Sequence, residues 1–160
     1  MKSVGFNIPQ WNPEVEMRFL GCLIYDCEHV MQMVDERGIA LKENDFLKFA
    51  NQALFEYMSN IFTREGTMGI ELLIDELEEK KTMEAIGGKS YVEKVAKAVV
   101  NSDCALLYAE MIMLRSIGRQ IENIGQDTCN LELCELTIKM SKLFDFSFLC
   151  LTSLDNWEQP

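Results

Sequence analysis

The sequence predicts an all-α chain. Met, Leu, Glu, Lys and Ala supply much of its 160 residues, and these are helix formers. Only 3 prolines and 9 glycines interrupt them, which leaves little room for tight turns. Apolar residues recur every three or four positions, the period of a helical face, and no segment alternates as a strand would. The expected architecture is a small globule of about five to six short helices, followed by a long antiparallel helical hairpin. The boundaries are an arm at residues 1–12, the globule at 13–101, the hairpin at 102–146, and a tail or the start of a linker at 147–160.

In the arm, Pro9 and Pro13 bracket Gln10, Trp11 and Asn12. Asn12 is placed to cap a first helix, with Pro13 at its first position and Glu14 and Glu16 in its first turn. That helix runs to about Tyr25, with Phe19, Leu20, Leu23 and Ile24 as its apolar stripe, and Gly21 and Cys22 allowing a neighbour close. A second helix spans Glu28 to Glu36 with Val30, Met33 and Val34 inward, and Gly38 ends it. Leu41 to Phe46 is a turn carrying Asn44 and Asp45. A strong helix follows, from Phe46 or Ala50 to Arg64, on Ala50, Leu54, Phe55, Met58, Ile61 and Phe62, with Gly66 stopping it.

Glu71 to Lys81 is the next helix, expected to carry Leu72, Leu73 and Leu77 toward the core and its glutamates and lysines toward water. Gly87 and Gly88 break the chain. Ser90 to Val99 is helical, with Val92, Val95, Ala96 and Val99 on one side. After the capping residues Asn101, Ser102 and Asp103, one pattern runs to about Asp127: Leu107, Met111, Leu114, Ile117, Ile121 and Ile124 form its stripe. At 1.5 Å per residue this helix is about 35 Å long. A turn near Cys129 and Asn130 returns it as a last helix, Leu131 to Phe144. Apolar residues to spare on such a hairpin suit dimerisation.

The net charge of −11 disfavours direct binding of nucleic acid and favours partners with basic patches. Six cysteines without a C-x-x-C pair, and a single histidine, disfavour a zinc site. The cysteines read as reduced core residues of a cytoplasmic protein. No signal peptide or membrane span is visible.

Chemistry-bearing patterns are few. Gly87-Gly88-Lys89-Ser90 looks like the end of a phosphate loop. That loop needs glycine where Met83 stands and a buried strand before it, and the preceding residues are helical and charged. The simpler reading is a glycine turn opening a helix. His29 has no evident nucleophile to serve. The acidic pairs Asp75 with Glu79, and Glu132 with Glu135, sit at helical spacing in a chain rich in acids. The expectation is no catalytic residue, no metal and no cofactor.

The order of features resembles the N-terminal domain of bacterial DnaB-type replicative DNA helicases. The resemblance starts at Pro13-Glu14-Val15-Glu16 and Phe19 to Asp26. It continues through Asn44-Asp45-Phe46, Ile86-Gly87-Gly88-Lys89-Ser90-Tyr91-Val92, Tyr108-Ala109 and the arginines Arg115 and Arg119, and ends at Leu136 to Phe146. Asn51-Gln52 stands where the family has His-Arg, and Thr67 to Glu71 lacks the family's Pro-Ile-Asp. The resemblance implies a non-catalytic domain that pairs through its hairpin into a collar of dimers and docks the helicase-binding domain of primase. The ATPase motor would lie in a separate domain. It also implies partner-binding roles for Glu14 and Tyr91. Leu114, Ile117, Ile121, Ile124, Leu133 and Met140 are the candidate dimer contacts. The expected partners are a second copy, the primase domain, and a full-length helicase or loader, with neither nucleic acid nor membrane. The alternative is a stand-alone replication accessory protein of a phage or mobile element that mimics this domain and modulates helicase or primase.

Overall fold

In the computed structural model of the protein, residues 12–124 are described, with side chains through Gln120. All regular elements among them are helical: five α-helices and two 3-10 turns. One compact unit ends at Met113 and a second begins at Leu114.

Helix α1 (Pro13–Glu36) starts as its sequence dictates. The Asn12 side chain accepts the Glu14 N–H at 3.0 Å, and Pro13 occupies a position where no N–H is needed. The two helices expected at 13–25 and 28–36 are one element broken by a kink at Asp26, whose backbone is extended at φ −155° and ψ 76°. The Asp26 carboxylate accepts the His29 N–H at 3.3 Å, so a capping side chain restarts the helix after the break. The C-terminus closes with Gly38 at φ 68°, its N–H on Asp35 O and the Ile39 N–H on Val34 O. This is the paired six-to-one and five-to-two closure that a left-handed residue permits.

A 3-10 turn at Glu43–Asp45 leads to α2 (Phe49–Glu65), which Gly66 ends at φ 71°. Helix α3 (Ile70–Glu79) closes through Lys81, which adopts φ 57° without being glycine. A second 3-10 turn at Glu84–Ile86 and Gly87 at φ 105° lead to α4 (Gly88–Ala96). Helix α5 (Ala105–Ile124) follows. The far helix of the expected hairpin, with Leu133 and Met140, lies outside the described residues.

The core gathers around Phe19 of α1, Phe46 of the turn and Phe55 of α2, with ring centroids 4.8 to 6.4 Å apart. Leu20, Leu23, Val30, Leu54, Met58, Ile61, Leu73, Leu77, Val92 and Val95 complete it, each essentially inaccessible. Full burial of each such side chain contributes roughly 1.5–3 kcal/mol. Helix α1 crosses α4 closely at Gly21. A Cβ added at Gly21 would stand 2.7 Å from the Val95 carbonyl oxygen, so only glycine lets these backbones meet.

Four expectations are corrected. Leu72 is 41% exposed, because only Leu73 and Leu77 of α3 share the inward face. Phe46 precedes α2 and belongs to the core as a turn residue. Cys104 is exposed, whereas Cys22 and Cys27 are buried free thiols. Finally, the stripe expected on α5 is not buried alike: Ile117 is 1% exposed and Leu107 54%, and Ala105, Ala109 and Ile112 are buried as well. Leu107 is exposed, and Met111 and Leu114 are half-buried.

Candidate functional site

The densest polar arrangement is built on Glu16, which is 3% exposed although charged. Glu16 follows Asn12 and Pro13 into the first turn of α1. It stands three residues before Phe19, on the same inward face. Its carboxylate accepts the Leu47 N–H at 2.6 Å, the Lys48 N–H at 3.3 Å and the Asn51 amide at 2.8 Å. A buried carboxylate is tolerated when donors replace water in this way, and this one also lies near the positive end of α2. Lys48, the N-cap of α2, has no capping side chain, so α1 supplies the acceptor for the chain entering that helix.

The network continues outward. Asn51 is 1% exposed and accepts the Tyr91 hydroxyl at 2.7 Å. The Lys48 ammonium lies 4.0 Å above the centre of the Tyr91 ring. Gln52 donates to the Phe46 carbonyl at 2.8 Å, fixing the turn from its other side. Buried polar groups thus hold a surface segment, on which Leu47 and Phe49 remain 47% and 67% exposed.

Of the residues expected to bind a partner, Tyr91 belongs to this network and is half-buried. Glu14 is exposed and pairs with Arg18 at 3.2 Å. It is Glu16, two residues further on, that reaches Tyr91 through Asn51. Sequence reasoning placed Glu16 only as a first-turn acid. The signal was there: an acid in phase with Phe19, Leu20 and Leu23 breaks an otherwise apolar stripe. Asn51 is the bridge between Glu16 and Tyr91.

Among the candidate dimer residues, Ile117 is 1% exposed and Leu114 half-buried. The side chains of Ile121 and Ile124 and the positions Leu133 and Met140 lie outside the described residues.

The glycine pair forms a turn. Gly87 and Gly88 take φ 105° and 75°, the Gly88 N–H bonds the Met83 carbonyl at 2.9 Å, and α4 begins immediately. His29 is exposed. Among the described residues, no group of three or more His, Cys, Asp or Glu could hold a metal ion, and no helix is long and apolar enough to cross a membrane. Burial pushes the Cys22 thiol up to about 11, with Cys104 adding to the shift, and the Cys27 thiol up to about 12. Both stay protonated near neutrality, and the thiol is a weak nucleophile. Glu110 of α5 is 9% exposed, and one of its carboxylate oxygens has no hydrogen-bond partner. Burial raises its pKa, and the charge of Arg37 opposes that shift.

Fold and site together define an all-α domain whose buried polar side chains shape a surface. The model of the DnaB-like helicase N terminal domain matches residues 8–113, ending where the first compact unit ends. The replicative DNA helicase DnaB of Buchnera aphidicola subsp. Baizongia pistaciae (strain Bp) is 29% identical over 112 residues, 70% of this chain and 23% of that protein. The replicative DNA helicase DnaB of Geobacillus stearothermophilus is 29% identical over 124 residues, 75% of this chain and 26% of that protein. A crystal structure of the N-terminal domain of DnaB helicase from Mycobacterium tuberculosis shares the fold at a TM-score of 0.58 and 20% identity, covering 86% of this chain and 99% of that one. The chain belongs to the DnaB-like helicase N-terminal domain family. It spans about a quarter of the length of these two helicases.

Proposed function

We propose that this chain is the non-catalytic assembly and docking domain of a replicative DNA helicase: it self-associates through α5 and the hairpin that the sequence predicts over 102–146, helps form the helicase ring, and docks the helicase-binding domain of primase. ATP hydrolysis belongs, in this reading, to a motor domain that these residues do not supply. The observation that carries the docking role is Tyr91. It stands at a position the family resemblance links to primase. Asn51 and Lys48 hold it from below and above, next to exposed Leu47 and Phe49. A fixed aromatic ring beside apolar side chains is the composition of interface anchors. The open face of Leu107, Met111 and Leu114 supports self-association, since one helix with two apolar faces can serve a core and a partner.

The test is a titration with the cognate primase's C-terminal helicase-binding domain, with light-scattering mass on the mixture and on the protein alone. The expected result is a dimer or larger assembly that binds primase and is weakened at least tenfold by Tyr91→Ala. A monomer that shows no binding at tens of micromolar, roughly −6 to −7 kcal/mol, would overturn the proposal.

A further inference from the structure

The net charge of −11 is unevenly spread. Helix α4 and its C-cap carry Lys89, Lys94 and Lys97, all exposed, against one acid, Glu93. Lys48 joins them from α2 through its position over the Tyr91 ring. On the facing side, Glu14 and Arg18 of α1 neutralise one another at 3.2 Å. An open groove runs between these helices, lined by Met17 of α1 and by Ser90, Glu93, Lys94, Lys97 and Ala98. Its position is fixed by the backbone contact at Gly21. Lys94, Lys97 and Glu93 line the groove itself, and Lys89 on α4 and Lys48 over the Tyr91 ring add to them, so the exposed side of α4 carries more positive than negative charge. Met17 and Ala98 give the groove apolar walls, and Leu47 and Phe49 flank Lys48.

We infer that the α1–α4 groove, with its Lys48–Tyr91 edge, docks an acidic amphipathic segment of a partner protein. Carboxylates on one side of that segment meet Lys94, Lys97 and Lys48, while its aliphatic side chains cover Met17 and Ala98. Charge complementarity names the occupant. Within a Debye length of about 8 Å at physiological salt the lysines act together, and beyond it the surrounding acids repel an extended polyanion. A nucleic acid backbone needs many neutralised phosphates and gains little from apolar walls, so the protein segment is the better fit. This inference rests on the docking reading above and adds the chemistry that the partner must carry.

The test uses the full chain, labelled with 15N. The probe is a synthetic 20-residue amphipathic helix with Glu and Asp on one face and Leu and Ala on the other. Its controls are the same helix with Gln and Asn in place of the acids, and a 20-nucleotide oligothymidine. The expected result is amide shifts centred on Ser90 to Ala98 with the acidic helix alone. Binding should weaken at least tenfold in Lys94→Glu/Lys97→Glu and on raising the salt from 50 to 300 mM. The unchanged thermal melt of that variant, whose two side chains are exposed, shows that it is folded. Binding that ignores the charge reversal, or shifts elsewhere on the chain, overturns the inference. Oligothymidine that binds more tightly than the helix and is lost in the variant also overturns it, in favour of nucleic acid. Titrating the primase domain against the same variant separates the two readings. Primase binding that survives the reversal refutes this groove and leaves primase docking intact. Groove-directed binding of the acidic helix without any primase binding keeps the groove and removes primase.

Discussion

Replacing Glu16 with glutamine changes one atom's chemistry and almost nothing of its shape. All three groups that meet the Glu16 carboxylate are donors: the Leu47 N–H at 2.6 Å, the Lys48 N–H at 3.3 Å and the Asn51 amide at 2.8 Å. Glutamine offers one acceptor and one donor. Its best arrangement keeps the oxygen on the Leu47 N–H and points its NH2 at Asn51. Asn51 must then turn over to accept, and it presents its own NH2 to the Tyr91 hydroxyl, which can become the acceptor. The Lys48 N–H is left without a partner. Losing the charge on the Leu47 bond costs about 1 kcal/mol, and leaving the part-buried Lys48 N–H unsatisfied costs about 1 more. The expected loss for Glu16→Gln is therefore about 2 kcal/mol. At about 4 °C per kcal/mol for a unit of this size, that is a fall of about 8 °C in Tm. Glu16→Ala removes all three bonds and costs about 3–4 kcal/mol. Urea unfolding followed by circular dichroism at 222 nm measures both. A Glu16→Gln variant within about 0.5 kcal/mol of the wild type, the range of an ordinary surface change, would refute the claim that this carboxylate holds the entry to α2.

Other substitutions probe separate parts of the argument. Gly21→Ala places a Cβ 2.7 Å from the Val95 carbonyl oxygen, a backbone atom that cannot turn aside; it should lose about 1–3 kcal/mol in the same assay despite alanine's better helix propensity. Lys81→Gly relieves a left-handed backbone at φ 57° and should raise stability by about 0.5–1 kcal/mol, read as a higher urea midpoint. Burial holds the Glu110 pKa above the usual glutamate value, so the folded state binds the proton more tightly and stability falls as pH rises through that window. Glu110→Gln should be more stable than wild type at pH 7, and the two should converge below the ordinary glutamate range; a variant less stable at pH 7 would reverse the assignment. Tyr91→Phe deletes the bond to Asn51 and should cost about 1 kcal/mol in chemical denaturation, while leaving the Lys48 contact with the ring in place.

Much of this protein is legible one residue at a time. Asn12-Pro13 opens α1, Gly38 and Gly66 close α1 and α2, and the apolar spacing of Leu54, Met58 and Ile61 marks α2's inward face. These features depend on local backbone conformation and on helical period, which the chain carries in its own order. The glycine pair at 87 and 88 belongs here too, since a missing Met83→glycine and a charged helical approach already argue against a phosphate loop.

Where two elements meet, the period alone does not choose. Helix α5 carries apolar residues at Leu107, Met111 and Leu114 and others at Ala105, Ala109, Ile112 and Ile117, and the second set is the buried one. Hydrophobicity does not rank one set above the other, and a residue's own helix cannot say which neighbour arrives, as Gly21 shows where α1 meets α4. Glu16 makes the same point in polar form. By itself it is one more acid in a first turn. It becomes the centre of the site only because folding brings Leu47, Lys48 and Asn51, which are 31 to 35 residues away along the chain, to its two oxygens. The sequence by itself determined helix boundaries such as Asn12-Pro13, Gly38 and Gly66, because those choices are made within a few neighbouring residues. Tertiary structure decided which faces and which acids are buried, because desolvation depends on what arrives from elsewhere in the chain.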